Sequence, residues 1–165
     1  MEYVDREELL RRYAAGEQDF RGVELRIGGG FAPLDDLSGI NLSGNSLDEE
    51  YFAGIILRNA NLRQARFAQA DFMGTDLTGA DLREADLRYA NFRSANLSQA
   101  DLRGARIYST SFTQANLAEA DLRGVKLEIS SLREANLTGA NLEGADLSEA
   151  IFKNTIMPDG SIRNS

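Results

Sequence analysis

The sequence predicts an all-β solenoid of four-sided coils with a short helical cap at its N-terminal end, and three observations carry that prediction. From Leu37 to Phe152 every fifth residue is Leu, Phe or Ile, 24 positions with no polar interruption. Two positions before these centres, from residue 60 to 150, 15 of 19 residues are Ala, the others being Thr75, Thr110, Val125 and Ser130. Like residues also recur at a spacing of 20: Phe52, Phe72, Phe92, Phe112 and Phe152 form one series, with Leu132 filling its gap.

A period of five fits neither the 3.6-residue turn of a helix nor the alternation of a long strand, so short extended segments joined by corners are required. Residues two apart in an extended chain share a face. The small residue and the large centre therefore point inward together, and the Asp or Asn between them, as in Ala80-Asp81-Leu82, points out. The two residues after the centre turn the chain, and Gly at the second of them, as at Gly74, Gly104 and Gly124, suits a corner. The Phe spacing selects four pentapeptides per coil, since a period of 15 would scatter that column. A second column, Leu42, Leu62, Leu82, Leu102, Leu122 and Leu142, is unbroken Leu, with Arg63, Arg83, Arg103 and Arg123 repeating outside it. Six coils follow, a rod of about 29 Å at roughly 4.8 Å per rung. A single coil buries little, so stability rests on stacking between neighbours.

The chain divides into a helical cap with an irregular first coil (1–34), the repeat region (35–154) and a closing segment (155–165), all one domain. Asp5 and Glu8 have capping-box spacing, with Val4 and Leu9 placed as a hydrophobic staple. A helix over Arg6–Ala15 is expected, with Leu9, Leu10, Tyr13 and Ala14 as its apolar face over the first coil and Gly16 at its end. Phe31 and Leu37 each follow the preceding centre after six residues, a slip assigned to Gly28-Gly29-Gly30; no G-K-[ST] follows these glycines, so they are not a phosphate loop. Asp35, Asn45 and Glu50 stand where Ala should point inward, which marks an atypical end coil. Met157 and Ile162 stay in register, leaving the last coil thinly covered. Lys153, Pro158 and Arg163 lie where charge and proline blunt an edge, which favours a monomer with at most a weak end-to-end dimer.

Among 165 residues there is no Cys and no His. Disulfides, thiolate metal sites and the commonest general base are thereby excluded. No residue is singled out as catalytic, cofactor-binding or metal-ligating, and no cofactor is expected: uninterrupted repeats offer no cleft to exclude water. Asp81, Asp101 and Asp121 form an outer column, but the Arg column beside them makes interleaved charge the simpler reading than a cation ladder. The formal charge of −8 opposes direct binding of nucleic acid or an anionic membrane. The acidic start and the absence of a long apolar run point to a cytoplasmic protein.

The A-(D/N)-L-x-x motif over residues 35 to 154 resembles the pentapeptide-repeat family. The resemblance implies a right-handed quadrilateral β-helix, and the closing Ile156-Met157-Pro158-Asp159-Gly160 segment and helix cap resemble members common in cyanobacteria. It implies a non-catalytic role, of which a protein–protein interaction scaffold is the leading form. The alternative is a DNA mimic that binds, inhibits or protects a type II topoisomerase such as DNA gyrase. Against it, residues 35 to 154 carry 18 acids and 12 bases, so Arg dilutes the acidic surface. The family members with that role also carry an apolar dimerising C-terminal segment, and some carry projecting loops, neither of which is read in this sequence.

The third face is the least regular outside. There Arg66, Arg88, Tyr89, Arg106, Tyr108, Lys126, Glu128 and Ile129 replace the usual Asp/Asn, Ser/Thr and Gly. Tyr and Ile beside Arg have the composition of an interface, and a protein of unknown identity is the expected partner on this strip. Thr110 and Ser130, stacked inward, are read as hydrogen-bonded core variants.

Overall fold

The backbone rungs show why five residues are the unit. In the computed structural model, which describes residues 2–27 and 30–165, each pentapeptide contributes one short parallel bridge to the pentapeptide 20 residues on, from Asp36↔Ile56 through Asp81↔Asp101 to Asn136↔Ile156. A regular unit spends its backbone groups in a fixed way. The N–H of Leu82 donates to Asp101 O (2.8 Å), that of Glu84 to Arg103 O (3.0 Å), that of Ala85 back to Leu82 O (3.1 Å), and that of Asp81 to Ala60 O (2.9 Å). Bonds thus run mainly between coils, which is the accounting a buried backbone demands.

The core fills the axis. Leu62, Leu82, Leu102 and Leu122 are fully buried, and so are Phe52, Phe72, Phe92 and Phe112, whose successive ring centroids lie 4.9, 4.8 and 5.3 Å apart with interplanar angles of 7°, 3° and 8°. Phe31 continues this column at 5.8 Å from Phe52, and Phe67 meets Phe52 and Phe72 edge-on. Such offset and edge geometries suit the ring quadrupole. Ala between the large centres lets facing walls approach, as at the fully buried Ala80 and Ala100.

At the N-terminal end, strand β1 (Tyr3–Asp5) leads into helix α1 (Arg6–Ala14). Asp5 caps it by accepting the Glu8 N–H at 2.9 Å, but the Glu8 carboxylate turns to Arg11. Val4 is more than a staple: β1 pairs in parallel with β2 (Glu24–Arg26), setting Val4 against Leu25 as a further rung. Leu9 is buried and Leu10 and Tyr13 pack on the core, the Tyr13 hydroxyl donating to Ser38 O at 2.6 Å; Ala14 is exposed, contrary to expectation. The face is narrower than the sequence suggests because only one side of α1 meets the coil.

The slip in the first coil is taken up in single steps. Phe20 lies under Leu42, 22 residues on (Phe20 N–Asn41 O, 2.9 Å), Phe31 under Phe52 after 21, and Leu37 under Leu57 after 20. Of Gly28-Gly29-Gly30, to which the slip was assigned, Gly28 and Gly29 lie outside the described residues, and Gly30 takes a left-handed φ of 77°. The inward polar residues serve this irregular coil. Asn45 donates to Phe20 O (2.8 Å) and accepts from Gly22 N (3.1 Å), while Asp35 accepts from Ala32 N (2.9 Å) and Arg6 (3.2 Å). Burial raises the Glu50 carboxyl above its ordinary pKa, opposed by a hydrogen bond from the Ile27 backbone.

Two expectations fail at the C-terminal end for one reason. Met157 packs on the core, but the chain reverses through Pro158-Asp159-Gly160, with Gly160 at φ 83° and Met157 N–Ser161 O at 2.8 Å. Strand β3 (Thr155–Ile156) therefore pairs antiparallel with β4 (Ile162–Arg163), and Ile162 leaves the register and is exposed. No further coil among the described residues then stacks on Leu142, which is half-buried rather than a closed part of the Leu column. Phe152 remains buried because the Arg163 guanidinium lies 3.8 Å from its ring centroid.

Candidate partner-binding groove

Most corners are built alike. The Asp or Asn before the centre accepts the backbone N–H two residues on, as Asp71 does from Met73 (3.0 Å) and Asn96 from Ser98 (3.2 Å), an Asx-turn that fixes the bend. The residue two after the centre then takes a left-handed φ, 60° at Gln99 and 72° at Gly104. On the Leu82 face the Asp column has a second task. Asp81, Asp101 and Asp121 pair with Arg83, Arg103 and Arg123 at 2.6, 2.6 and 2.7 Å, and Arg83 and Arg103 reach the next coil's Asp at 3.6 and 3.4 Å. Hydrogen bonds from Arg83 and Arg123 hold the Asp81 and Asp121 carboxyls below the ordinary carboxylate range. This outer column is an interleaved ion-pair ladder, and each of its carboxylates is already engaged.

The third face departs from this scheme. Arg106 and Lys126 stand where Asp or Asn would make the Asx-turn, and the bridge between them is missing; Tyr108↔Glu128 pair instead, two residues further on. Among the described residues, the regular rungs Gly104 N–Arg123 O, Ile107 N–Lys126 O and Lys126 N–Ala105 O are not made, nor is the local bond Thr110 N–Ile107 O. Thr110 N donates instead to Ser130 Oγ at 3.1 Å, the Thr110 hydroxyl donates to Leu87 O at 2.8 Å, and the Ser130 hydroxyl to Glu128 O at 3.0 Å. Both residues are buried, as expected of hydrogen-bonded core variants.

Where the rungs open lies a groove of about 590 Å³, lined by Arg88, Tyr89, Gly104, Ala105, Arg106, Ile107, Tyr108, Gly124, Lys126 and Glu128. That volume falls in the range of sites that hold small ligands or short segments. At one end Asp86, buried, is gripped by Arg88 (2.7 Å) and Arg106 (3.2 Å); hydrogen bonding from Arg88 keeps its carboxyl low against the opposing effect of burial. Tyr89 and Tyr108 meet edge-on with centroids 5.4 Å apart. Tyr89 is exposed and Tyr108 half-buried, because the extended segment draws Tyr108 into a bridge. Lys126 makes no contact-distance ion pair among the described residues.

Six of the eight residues on the sequence-predicted strip therefore line one groove. Arg66 does not: it pairs with Asp48 one coil earlier. Ile129 lies outside it, exposed, at φ 51°. Sequence reasoning missed Gly104, Ala105, Ile107 and Gly124, which enter through the lost rungs.

The class defined by this geometry is a β-solenoid of five-residue units with 20-residue coils. The chain belongs to the pentapeptide-repeat family: the family's model, described as pentapeptide repeats, matches residues 36–72, 85–128, 115–154 and 130–164, and the family fold is the right-handed β-helix. Similar solved structures include a pentapeptide repeat protein from the Arabidopsis thaliana thylakoid lumen, 34% identical over 75% of this chain and 69% of that one, TM-score 0.41. HetL, a pentapeptide repeat protein involved in heterocyst differentiation regulation in the cyanobacterium Nostoc, is 29% identical over 97% of this chain and 100% of its own, TM-score 0.33. Full-length QnrB1, a plasmid-mediated fluoroquinolone resistance protein, is 23% identical over 92% of this chain and 77% of its own, TM-score 0.58. No curated protein matches the chain in sequence.

Proposed function

We propose that this protein is a non-catalytic interaction scaffold: a rod of about six coils, closed at one end by α1, that presents its third face to a partner protein. The observation that carries the reading is the position of the missing rungs. Between residues 56 and 141 the described ladder is regular on its other faces, and the opened bonds gather beside Tyr89, Tyr108, Arg106 and Lys126, which together offer aromatic surface and positive charge on an otherwise acidic rod. Tyr and Arg together have the composition enriched at protein interfaces. The chain is not expected to bind nucleic acid or membrane directly.

The test is affinity capture with the wild-type protein and with Arg106→Glu combined with Lys126→Glu, both confirmed folded by circular dichroism. A partner retained by the first and lost from the second supports the reading; equal retention on both overturns it. DNA mimicry of the kind that acts on a type II topoisomerase is the weaker reading on charge density. The repeat region carries 18 acids and 12 bases, a net −6. Over about 29 Å that is one charge per about 5 Å, against about 1.7 Å in duplex DNA. Inhibition or drug protection in a gyrase supercoiling assay at stoichiometric protein would reverse that ranking.

A further inference from the structure

We infer that the occupant of the third-face groove is an extended, acidic peptide segment whose backbone completes the open rungs; this rests on the reading that the third face is the docking side. The backbone groups left open between the two coils are mixed in kind. Among the described residues, the N–H groups of Gly104, Ile107 and Lys126 have no backbone acceptor, and the carbonyls of Ala105, Arg123 and Lys126 have no backbone donor. A simple anion satisfies the first three and meets the other three as repelling dipoles. A peptide carries one donor and one acceptor per residue and, lying along the groove over the opening bounded by the intact rungs Leu102 N–Asp121 O and Ser109 N–Glu128 O, can meet both sets.

The open stretch spans four residues on each coil, 104–107 and 123–126, so about 13 Å of extended chain matches it. Charge selects the side chains. Arg88 and Arg106 share the single carboxylate of Asp86, and Lys126 has no contact-distance partner among the described residues, which leaves three cations against Asp86 and Glu128 around one groove. An acidic side chain on the peptide can reach Lys126 or Arg106, and an apolar neighbour can lie on the Tyr89–Tyr108 pair.

The experiment uses the full chain, isotope-labelled for NMR. In the free protein the amides of Gly104, Ile107 and Lys126 should exchange about 100-fold faster, or more, than those of the regular positions Leu82, Glu84 and Asp81, as expected for open against closed rungs. A capped hexapeptide alternating glutamate and leucine should shift and protect those three amides. Its glutamine counterpart should bind about fivefold more weakly, and Lys126→Glu should bring the two peptides to equal affinity. If the glutamate peptide leaves the three amides unchanged, the peptide assignment fails, while the scaffold reading stands or falls separately on partner capture. Acetate at matched carboxylate concentration giving the same shifts overturns the assignment in favour of an anion site. Full protection of the three amides in the free protein removes the opening itself, and with it both readings.

Discussion

Substitution within the Phe column measures how far stacking, beyond mere burial, holds the coils together. Phe92 is fully buried between Phe72 and Phe112, at 4.8 and 5.3 Å. Phe92→Ala deletes the ring and leaves a cavity that rigid walls on four sides fill poorly, so a loss of about 3–5 kcal/mol is expected. Phe92→Leu keeps most of the apolar volume and forfeits two ring–ring contacts worth about 0.5–1.5 kcal/mol each, for a loss of about 1–3 kcal/mol. Leu is sterically acceptable here, because Leu132 occupies the same column two coils on. Phe152→Leu should cost less than either, since that ring has Leu132 rather than a ring on one side and only the Arg163 guanidinium on the other. Urea denaturation read by circular dichroism gives the three values, provided each variant keeps the wild-type slope. If Phe92→Leu matches wild type, the stacked geometry contributes nothing. If Phe152→Leu costs as much as Phe92→Leu, stability does not depend on coverage by neighbouring coils.

Three further outcomes follow from the same packing. Leu102→Asp places a carboxylate at a fully buried position and should abolish cooperative unfolding, whereas Arg103→Asp should fold with a loss of about 1 kcal/mol, because Arg103 bridges Asp101 and Asp121; equal effects in a thermal melt would mean the inward register is wrong. Asp86→Asn should cost about 1–3 kcal/mol at pH 7 by leaving Arg88 and Arg106 without their shared carboxylate. Because the Asp86 carboxyl titrates lower in the folded chain than unfolded, its contribution is complete above about pH 4 and lost as pH falls through the folded value, so urea midpoints of variant and wild type should converge at low pH. Ile129→Asn should raise the melting temperature: Ile129 holds φ 51° with a β-branched side chain, the corner position that Asn59 and Asn154 occupy elsewhere, and relief of that strain is worth about 1 kcal/mol.

Which features could be read from sequence depended on how many residues repeated the same message. The inward columns were legible because every centre bears on one register, and the Arg column beside Asp81, Asp101 and Asp121 announced ion pairing by its spacing. Features decided once were not legible. Val4 has no repeat partner to mark it as a rung, and its pairing with Leu25 depends on the chain doubling back after α1. Ile162 kept the five-residue count, but the turn at Pro158-Asp159-Gly160 outweighed it. The outward Asp and Asn had a second use that composition concealed: they hold the corners through Asx-turns as well as facing solvent.

That second use bears on why the ladder opens at one place. Missing an Asx acceptor is insufficient, since Ser111 and Ser131 also lack Asp or Asn and the rung Phe112 N–Ser131 O is intact at 2.8 Å. What sets residues 104–110 and 124–130 apart is that Arg106 and Lys126 coincide with inward hydroxyls on both coils. Ser130 Oγ takes the Thr110 N–H that would otherwise close the corner on Ile107 O, and the chain runs on extended to Tyr108. Ser130→Ala removes that competing acceptor and leaves Arg106 and Lys126 in place. The Thr110 N–H should then return to Ile107 O, and the amides of Gly104, Ile107 and Lys126 should become protected in hydrogen exchange, with stability changed by about 1 kcal/mol or less. If those amides still exchange quickly in Ser130→Ala, the opening is set by the charged outer residues. Arg106→Asn with Lys126→Asn, which restores both Asx-turns, should then close it.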